Sequence, residues 1–443
     1  MSDHLERAAA KLDEFAASMT PPETGATAQP QPPALAESPC ILGLFRDDVR
    51  LRGLVGENAT AQLLFLAFTS RLLDKPVSVA VKGPSASGKS ESVQQTRDFF
   101  PADAALEFTA ASPKALIHSQ ADYAHRTIVF FEVTGLRENS EEDLTAYVLR
   151  SLLSEGRINY EYTAGSPNAG FFTRRVVKRG PTNTVFTTTK VRVHPENETR
   201  CLSLNTDDSP EQTKAIMLQL AEEQSRGVDL EPWHELQRWL KEAENRVTIP
   251  YGTRLAGLVP PVATRLRRDF AAVLTLIRTH AFLHQLNRDR DADGSIVANL
   301  DDYAVVRELV ADVVAEGVGQ TVPPAVRETV EAVEAVESSS GITAAQLART
   351  LGIDKSNASR RLRRAADAAY VTNLEDKRGR PGRWFVGEPM PEEADVLPAT
   401  ATLNATLSAT TESQVVAEDS GGGCAVALDS GGPHTQAREE GEV

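Results

Sequence analysis

Residues 83–90, Gly-Pro-Ser-Ala-Ser-Gly-Lys-Ser, satisfy the pattern G-x-x-x-x-G-K-[ST] at every defined position. No other feature restricts the fold as tightly, because such a loop works only between a buried strand and a helix. Both flanks are present. VSVAV at 77–81 is the short apolar run of a buried strand, and ESVQQTRDFF at 91–100 reads as a helix. Gly83 and Gly88 let the backbone close around a phosphate chain. Between them Pro84, Ser85, Ala86 and Ser87 form the turn, with the available amides pointing inward at the phosphates and the following helix presenting its positive N-terminus to them. Lys89 puts a point charge on the β- and γ-phosphates, and the Ser90 hydroxyl suits Mg²⁺. ATP and Mg²⁺ are therefore the expected ligand and cofactor.

The chain has 443 residues, 41% hydrophobic and 25% charged, which is enough for two to four domains with a sizeable core. No run of 18 apolar residues exists, so no membrane span is expected. The opening MSDHLERAAAKLDEF lacks a basic region followed by an apolar stretch and does not read as a secretory signal. Cys40, Cys201 and Cys424 are far apart. That spacing excludes a disulfide framework or a paired-cysteine zinc site and fits a reducing cytoplasm.

Residues 1–40 are expected to be a disordered N-terminal segment: 1–17 hold at most a short helix, and 20–39 contain six prolines. Residues 388–443 are expected to be a disordered acidic tail, with eleven Asp or Glu against one Arg. Removing that tail takes most of the net charge of −15 with it. Between these ends, 41–210 alternate helical stretches with the β-rich runs VSVAV, TIVFF (127–131) and NTVFTTT (183–189). The pattern reads as an α/β unit with a largely parallel sheet. Residues 211–335 read as helices, and 338–387 as a small basic module.

A phosphate-binding loop needs an acidic side chain on a neighbouring strand. Glu132, at the end of IVFFE, is the candidate, as catalytic base, metal-shell carboxylate or both. Phe131 stands where an aspartate often precedes it. Thr187 and Thr188, at the C-terminal end of NTVFTTT, are placed to orient an attacking water. Arg200 ends the loop HPENETR just before the apolar run CLSL. It reads as an arginine reaching a neighbour's nucleotide, or as a salt-bridge partner of Glu196 or Glu198.

This order of phosphate loop, acidic strand, polar-ended strand and arginine before a last strand resembles that of AAA+ ATPases. More narrowly, 41–320 resemble the ATPase module of bacterial and mobile-element primase-associated replication proteins, on KGPSASGKS, TIVFFEVTGL, LRSLLSEGRINYEYT, RRVVKRGPTNTVFTTT and HPENETRCLSLNTDDSPEQT. The resemblance implies an AAA+ like P-loop NTPase core with a parallel sheet and a helical lid, acting on DNA as a homo-oligomeric ring that hydrolyses ATP between subunits. The chain has no zinc-binding cysteines and no apparent primase segment, so any priming would fall to a separate protein. RINYEYT and FFTRRVVKR, around TAGSPNAG, read as a β-hairpin at the place of a helicase-type pore hairpin. Arg174, Arg175, Lys178 and Arg179 give it phosphate-binding charge. The resemblance makes 246–318 the lid, with Arg265 or Arg268 as its nucleotide-sensing arginine. His280 and His284, four apart on a helix, read as a satisfied pair, not a metal site.

ITAAQLARTLGI, DKSNASRRLRRAADAAYV and TNLEDKRGRPGRWFVG give a helix, a turn at Gly352, a helix and a short wing. This is the pattern of a winged helix-turn-helix, and residues 338–386 carry ten Arg or Lys against four Asp or Glu. Lys355, Ser356, Asn357, Ser359 and Arg360 are expected to face the major groove, and Arg361 and Arg364 the phosphates. The wing tip, including Arg380 and Arg383, suits a minor groove or the backbone. Three functions fit these residues: a DNA-directed helicase, motor or loader ATPase; an ATP-controlled DNA-binding regulator without strand separation; and, less well, a protein-remodelling ATPase.

Overall fold

The computed structural model describes residues 31–108, 113–131, 144–166, 170–189, 199–222, 227–261, 263–318, 322–336, 341–375, 380–390 and 396–408. After a 3-10 turn at Ala34–Glu37 come α1 (Ile41–Leu51), α2 (Asn58–Ser70), β1 (Val79–Lys82), α3 (Lys89–Asp98), β2 (Ala105–Phe108), α4 (Pro113–His118), β3 (Arg126–Phe130) and α5 (Leu144–Glu155). The hairpin β4 (Ile158–Ser166) and β5 (Gly170–Lys178) follows, then β6 (Thr182–Thr188) and β7 (Leu202–Asn205). A helical region holds α6 (Pro210–Glu222), α7 (Glu231–Glu242), β8 (Val247–Thr248), α8 (Gly252–Leu258), α9 (Leu266–Leu283), β9 (Ile296–Val297) and α10 (Leu300–Gly317). The last unit contains α11 (Pro324–Glu334), α12 (Ala344–Leu351), α13 (Lys355–Asp367), β10 (Val371–Asn373) and β11 (Trp384–Val386).

Five strands form one parallel sheet in the order β2-β3-β6-β1-β7. Every residue of β1 and β6 is buried, as expected for central strands covered on both faces. Asn183 pins β6 to its surroundings. Its oxygen accepts from Thr127 Oγ1 at 2.9 Å, and its amide donates to the carbonyls of Ala67 and Val77 at 2.9 and 2.8 Å. Strand β2 is absent from the sequence reading. Its four residues, ALEF, include Glu107, which pairs with Arg97 at the sheet edge, so no apolar run marks it.

Helix α2 is buried continuously from Leu63 to Ser70 because it lies between the sheet and the helical region. Helices α9 and α10 pack on each other and on α2. Their buried residues, including Leu276, Phe282, Tyr303 and Val310, share one cluster with Val79, Val81 and Val185 of the sheet. The helical region is thus part of the main core. The parallel two-residue strands β8 and β9 also interrupt the stretch read as helices alone.

His280 and His284 stabilise this core. His280 Nδ1 lies 2.6 Å from Asp302 Oδ1, and Arg288 adds contacts of 2.9 and 2.7 Å to the same carboxylate. His284 Nδ1 donates to the His280 carbonyl, and its Nε2 accepts from the Ile41 amide at 3.1 Å. Burial, reinforced by His280, pushes the His284 pKa down to about 3. The unfolded chain takes up that proton near pH 6.5 and the native one does not, so stability is full above pH 6.5 and falls on acidification. Between pH 7 and pH 5 the loss from His284 should be about 2 kcal/mol. Urea unfolding of His284→Gln should show that much less pH dependence than the wild type. An equal loss in both proteins would remove His284 as its source.

Two segments assigned to disordered ends are packed. Ala36 is 1% exposed, and its 3-10 turn rests on α7. Residues 396–408 return to the core after the last unit. Val396, Leu397 and Leu403 are buried, the Tyr303 hydroxyl donates to the Pro398 carbonyl at 2.6 Å, and Arg307 Nε donates to the Leu397 carbonyl at 3.1 Å. Composition hid this segment, because three apolar anchors sit within an acidic stretch. The expected helix at 1–17 and the tail beyond 408 lie outside the described residues.

The last unit also begins earlier than residue 338. Val322, Val326, Val330 and Val333 join Ile342, Leu347, Leu362 and Val371 in a separate small core. Helix α11, which lies before the basic module as read from the sequence, is therefore one of three helices closed by the antiparallel pair β10–β11. A capping box at Thr343 starts α12 and Gly352, at φ +66°, ends it. Asp354 caps α13, accepting from the amides of Ser356 and Asn357.

Candidate nucleotide site

The loop Gly83–Ser90 leaves β1 at the C-terminal edge of the sheet and runs into α3. Gly83 N–H donates to the Thr188 carbonyl at 3.3 Å, which ties the loop to β6. A Cβ on Gly83 would lie 2.0 Å from Thr206 Oγ1 and 2.5 Å from Ser87 Oγ, so a side chain there would force both hydroxyls out of place. Gly88 adopts φ +80°, the left-handed region that favours glycine. Lys89 is buried, and its Nζ donates to the Pro84 carbonyl inside the curl of the loop. Ser90 is exposed in the first turn of α3. A closed cradle, a helix N-terminus and an inward lysine suit a polyphosphate, and the exposed hydroxyl of Ser90 suits a magnesium ion beside it.

Thr187 and Thr188 are buried at the C-terminal end of β6, with Thr188 in register with Lys82. Both therefore reach the edge that carries the loop. Glu132 lies outside the described residues, which end at Phe131 just beyond β3. Sequence reasoning missed Thr206. Its hydroxyl contacts Ser87 Oγ at 2.7 Å and the Lys82 carbonyl at 3.2 Å. Its signal was its place just beyond CLSLN, the strand beside β1. The next residue, Asp207, donates its amide to the buried Glu57 at 2.8 Å. Burial raises the Glu57 pKa, against hydrogen bonds from Thr60 and that amide.

Arg200 sits at the opposite edge, just before β7. There it lines a cavity of about 810 Å³ with Lys75, Ser78, Arg268, Asp269 and Arg278. Arg268, expected at the phosphates, donates to Thr199 Oγ1 beside Arg200. The phosphate loop of its own chain lies across the sheet, so Arg268 does not meet that loop within one subunit. Arg265 is held at 3.0 Å by the buried Asp269 and packs beside Gly317. Burial pushes the Asp269 pKa up, against the opposing pull of Arg265. Arg278 is half-buried, and burial lowers its pKa.

The hairpin pairs Arg174 with Tyr162 and Arg175 with Glu161. Both arginines are exposed, with Arg174 over the Phe172 ring at 5.2 Å and Arg175 Nε 2.8 Å from Asn159 Oδ1. Lys178 differs. Its ammonium donates to the carbonyls of Ser119 and Ala121 and lies over Tyr123, so it anchors the hairpin base. Phe171 and Phe172 are 68% and 48% exposed near the far end. Sequence reasoning gave them no role, although adjacent aromatics on a two-stranded ribbon cannot both face a core.

In the last unit Lys355, Ser356 and Arg380 are exposed, while Asn357 and Arg383 are half-buried. Wing residues 376–379 lie outside the described ones. Arg360 and Arg364, expected on DNA, turn toward the main core. Arg360 pairs with Asp208, Arg361 pairs with Asp208 at 2.7 Å and Glu328 at 2.6 Å, and Arg364 pairs with Glu316. Burial lowers the Arg360 pKa despite Asp208.

Residues 48–247 match the protein family described as the MTBMA_p00010 P-loop domain. A full-length MCM homolog from Methanopyrus kandleri aligns with a TM-score of 0.38 and 12% identity over 63% of this chain. The match spans 62% of that structure, under two thirds of its length. No curated protein sequence matches. Among the described residues no helix is long and apolar enough to cross a membrane. The parallel sheet, the cradle at Gly83–Ser90 and the family match together make this region a P-loop NTPase core.

Proposed function

We propose that the chain is a DNA-directed ATPase of the AAA+ type, working as a homo-oligomer with sites completed between subunits. The observation that carries this is the separation of two half-sites. The phosphate loop and Thr188 occupy the C-terminal edge of the sheet, while Arg200 lines a cavity at the N-terminal edge. Four strand residues span roughly 13 Å, too far for one subunit's Arg200 to serve its own loop. A ring brings one copy's edge to its neighbour's loop.

In this reading Lys89 and the loop amides hold the β- and γ-phosphates of ATP. Thr188 orients water, and Glu132 takes its proton. Arg200 of the next copy meets the charge that develops in the transition state. Mg²⁺, held by Ser90 and Glu132, would neutralise phosphate oxygens. The last unit acts as a winged helix-turn-helix tether, using Lys355, Ser356, Asn357, Arg380 and Arg383 on duplex DNA. The hairpin offers Arg174 and Arg175 to phosphates and Phe171 and Phe172 to stacked bases. A second reading, ATP-controlled DNA binding without strand separation, draws support from the ion pairs that hold α13 against the core.

Strand displacement on a forked duplex tests the proposal. The full chain should separate strands with ATP. Arg174→Ala/Arg175→Ala should bind nucleotide normally but lose DNA-stimulated hydrolysis and displacement. ATP-dependent duplex binding with no displacement would select the second reading.

A further inference from the structure

Arg360, Arg361 and Arg364 occupy positions i, i+1 and i+4 of α13, the helix that would meet DNA in the winged-helix reading. Their guanidinium groups are already engaged. Asp208, whose side chain is 9% exposed, holds Arg360 and Arg361 together, and Glu316 at the end of α10 holds Arg364. Carboxylate oxygens and phosphate oxygens make the same demand on arginine, a planar fork of donors facing anionic acceptors. The two core carboxylates thus satisfy what a DNA backbone would satisfy.

Both carboxylates are also wired to the phosphate loop. Asp208 lies two residues after Thr206, whose hydroxyl contacts Ser87 Oγ and the Lys82 carbonyl. Glu316 accepts from Asn205 Nδ2 at 3.1 Å through each of its oxygens. Asn205 is in register with Lys82, the residue before Gly83. A shift in the loop therefore bears on both anchors. The docked cluster is also incompletely satisfied: Nε of Arg360 and of Arg361 is buried with no hydrogen-bond partner. A partner offering more acceptors would relieve those donors.

We propose that Asp208 and Glu316 form a phosphate-mimicking surface that binds α13 in competition with duplex DNA, so that a state of the core which displaces these carboxylates releases the helix. This rests on the winged-helix reading of the last unit. Its partner is this chain's own α13, and its competitor is the DNA backbone.

The test uses the full chain with Asp208→Asn and Glu316→Gln made separately, so that one poorly folding variant does not silence it. Two quantities are read: hydrogen exchange over residues 355–367, and duplex affinity as a function of salt. Exchange should rise in each variant. Affinity at low salt should rise by about tenfold, and log K should fall more steeply with log salt, by about one for each arginine set free. Glu331→Gln, which removes an equal charge from an exposed position on α11, should change neither. Unchanged exchange in both variants overturns the docking contact. Faster exchange without tighter binding overturns the competition, as does an equal gain in Glu331→Gln. Lys355→Ala and Arg380→Ala locate the fault. If they weaken duplex binding while Asp208→Asn does not strengthen it, only the mimicry fails. If they leave binding unchanged, the winged-helix reading itself has failed.

Discussion

Arg200→Ala is expected to abolish ATP turnover while leaving nucleotide binding intact, and to recover activity when mixed with excess Lys89→Ala protein. The two substitutions damage opposite edges of the same sheet. In a mixed assembly, some interfaces pair an intact loop from the Arg200→Ala chain with an intact Arg200 from the Lys89→Ala chain. Arginines of this kind are worth about 10³–10⁵ in rate in well-studied NTPases, so even a small fraction of repaired interfaces should be visible. The measurement is steady-state ATPase activity against mixing ratio, with co-assembly checked by sedimentation. A mixture that co-assembles and stays inactive would refute action in trans. Rescue would also bear on the cavity beside Arg200. Arg268 and Arg278 line it, and an arginine acting across an interface needs an open edge of this kind.

Lys89→Ala alone should lower turnover by about 10²–10³-fold, the scale of one lost donor to developing charge. Nucleotide affinity should fall as well. Buried Lys89 directs its ammonium into the curl of the loop, where the Pro84 carbonyl accepts it. Methionine is the informative second substitution. It keeps the apolar stem that fills this position but removes the charge. If Lys89→Met binds and hydrolyses ATP like the wild type, the loop is not a phosphate site. If Lys89→Ala loses activity and Lys89→Met keeps it, the stem and not the charge was needed.

The nucleotide site was legible because its chemistry is local. Eight consecutive residues carry the cradle, and the apolar runs around Val79, Ile128, Val185 and Leu202 gave four of the five sheet strands. Strand β2 was not legible, since ALEF is short and its glutamate is neutralised by an arginine distant in sequence. The hairpin was found, but its charge was read as uniform. Lys178 serves the base of the ribbon while Arg174 and Arg175 stay exposed, and only folded neighbours draw that distinction. The same holds for the basic module. Its charge excess was counted correctly and assigned outward. Arg360, Arg361 and Arg364 face inward because Asp208, in the run NTDDSP, and Glu316 come to them through tertiary structure. A charge count carries no direction. For Arg268 the position on its helix was clear from sequence, but the sheet edge it would reach was not.

The return of residues 396–408 to α10 changes what kind of object the last unit is. Its chain leaves from the end of α10 and comes back to lie on Tyr303 and Arg307 of that same helix. The unit is therefore a loop-like insertion fastened at both ends, and not a pendant domain. An undocked α13 would remain at high local concentration beside Asp208, so recapture would be fast and independent of protein concentration. Trimming the chain at residue 338 would do more than remove that unit. It would strip Leu397 and Leu403 from the main core and leave an apolar seam open along α10.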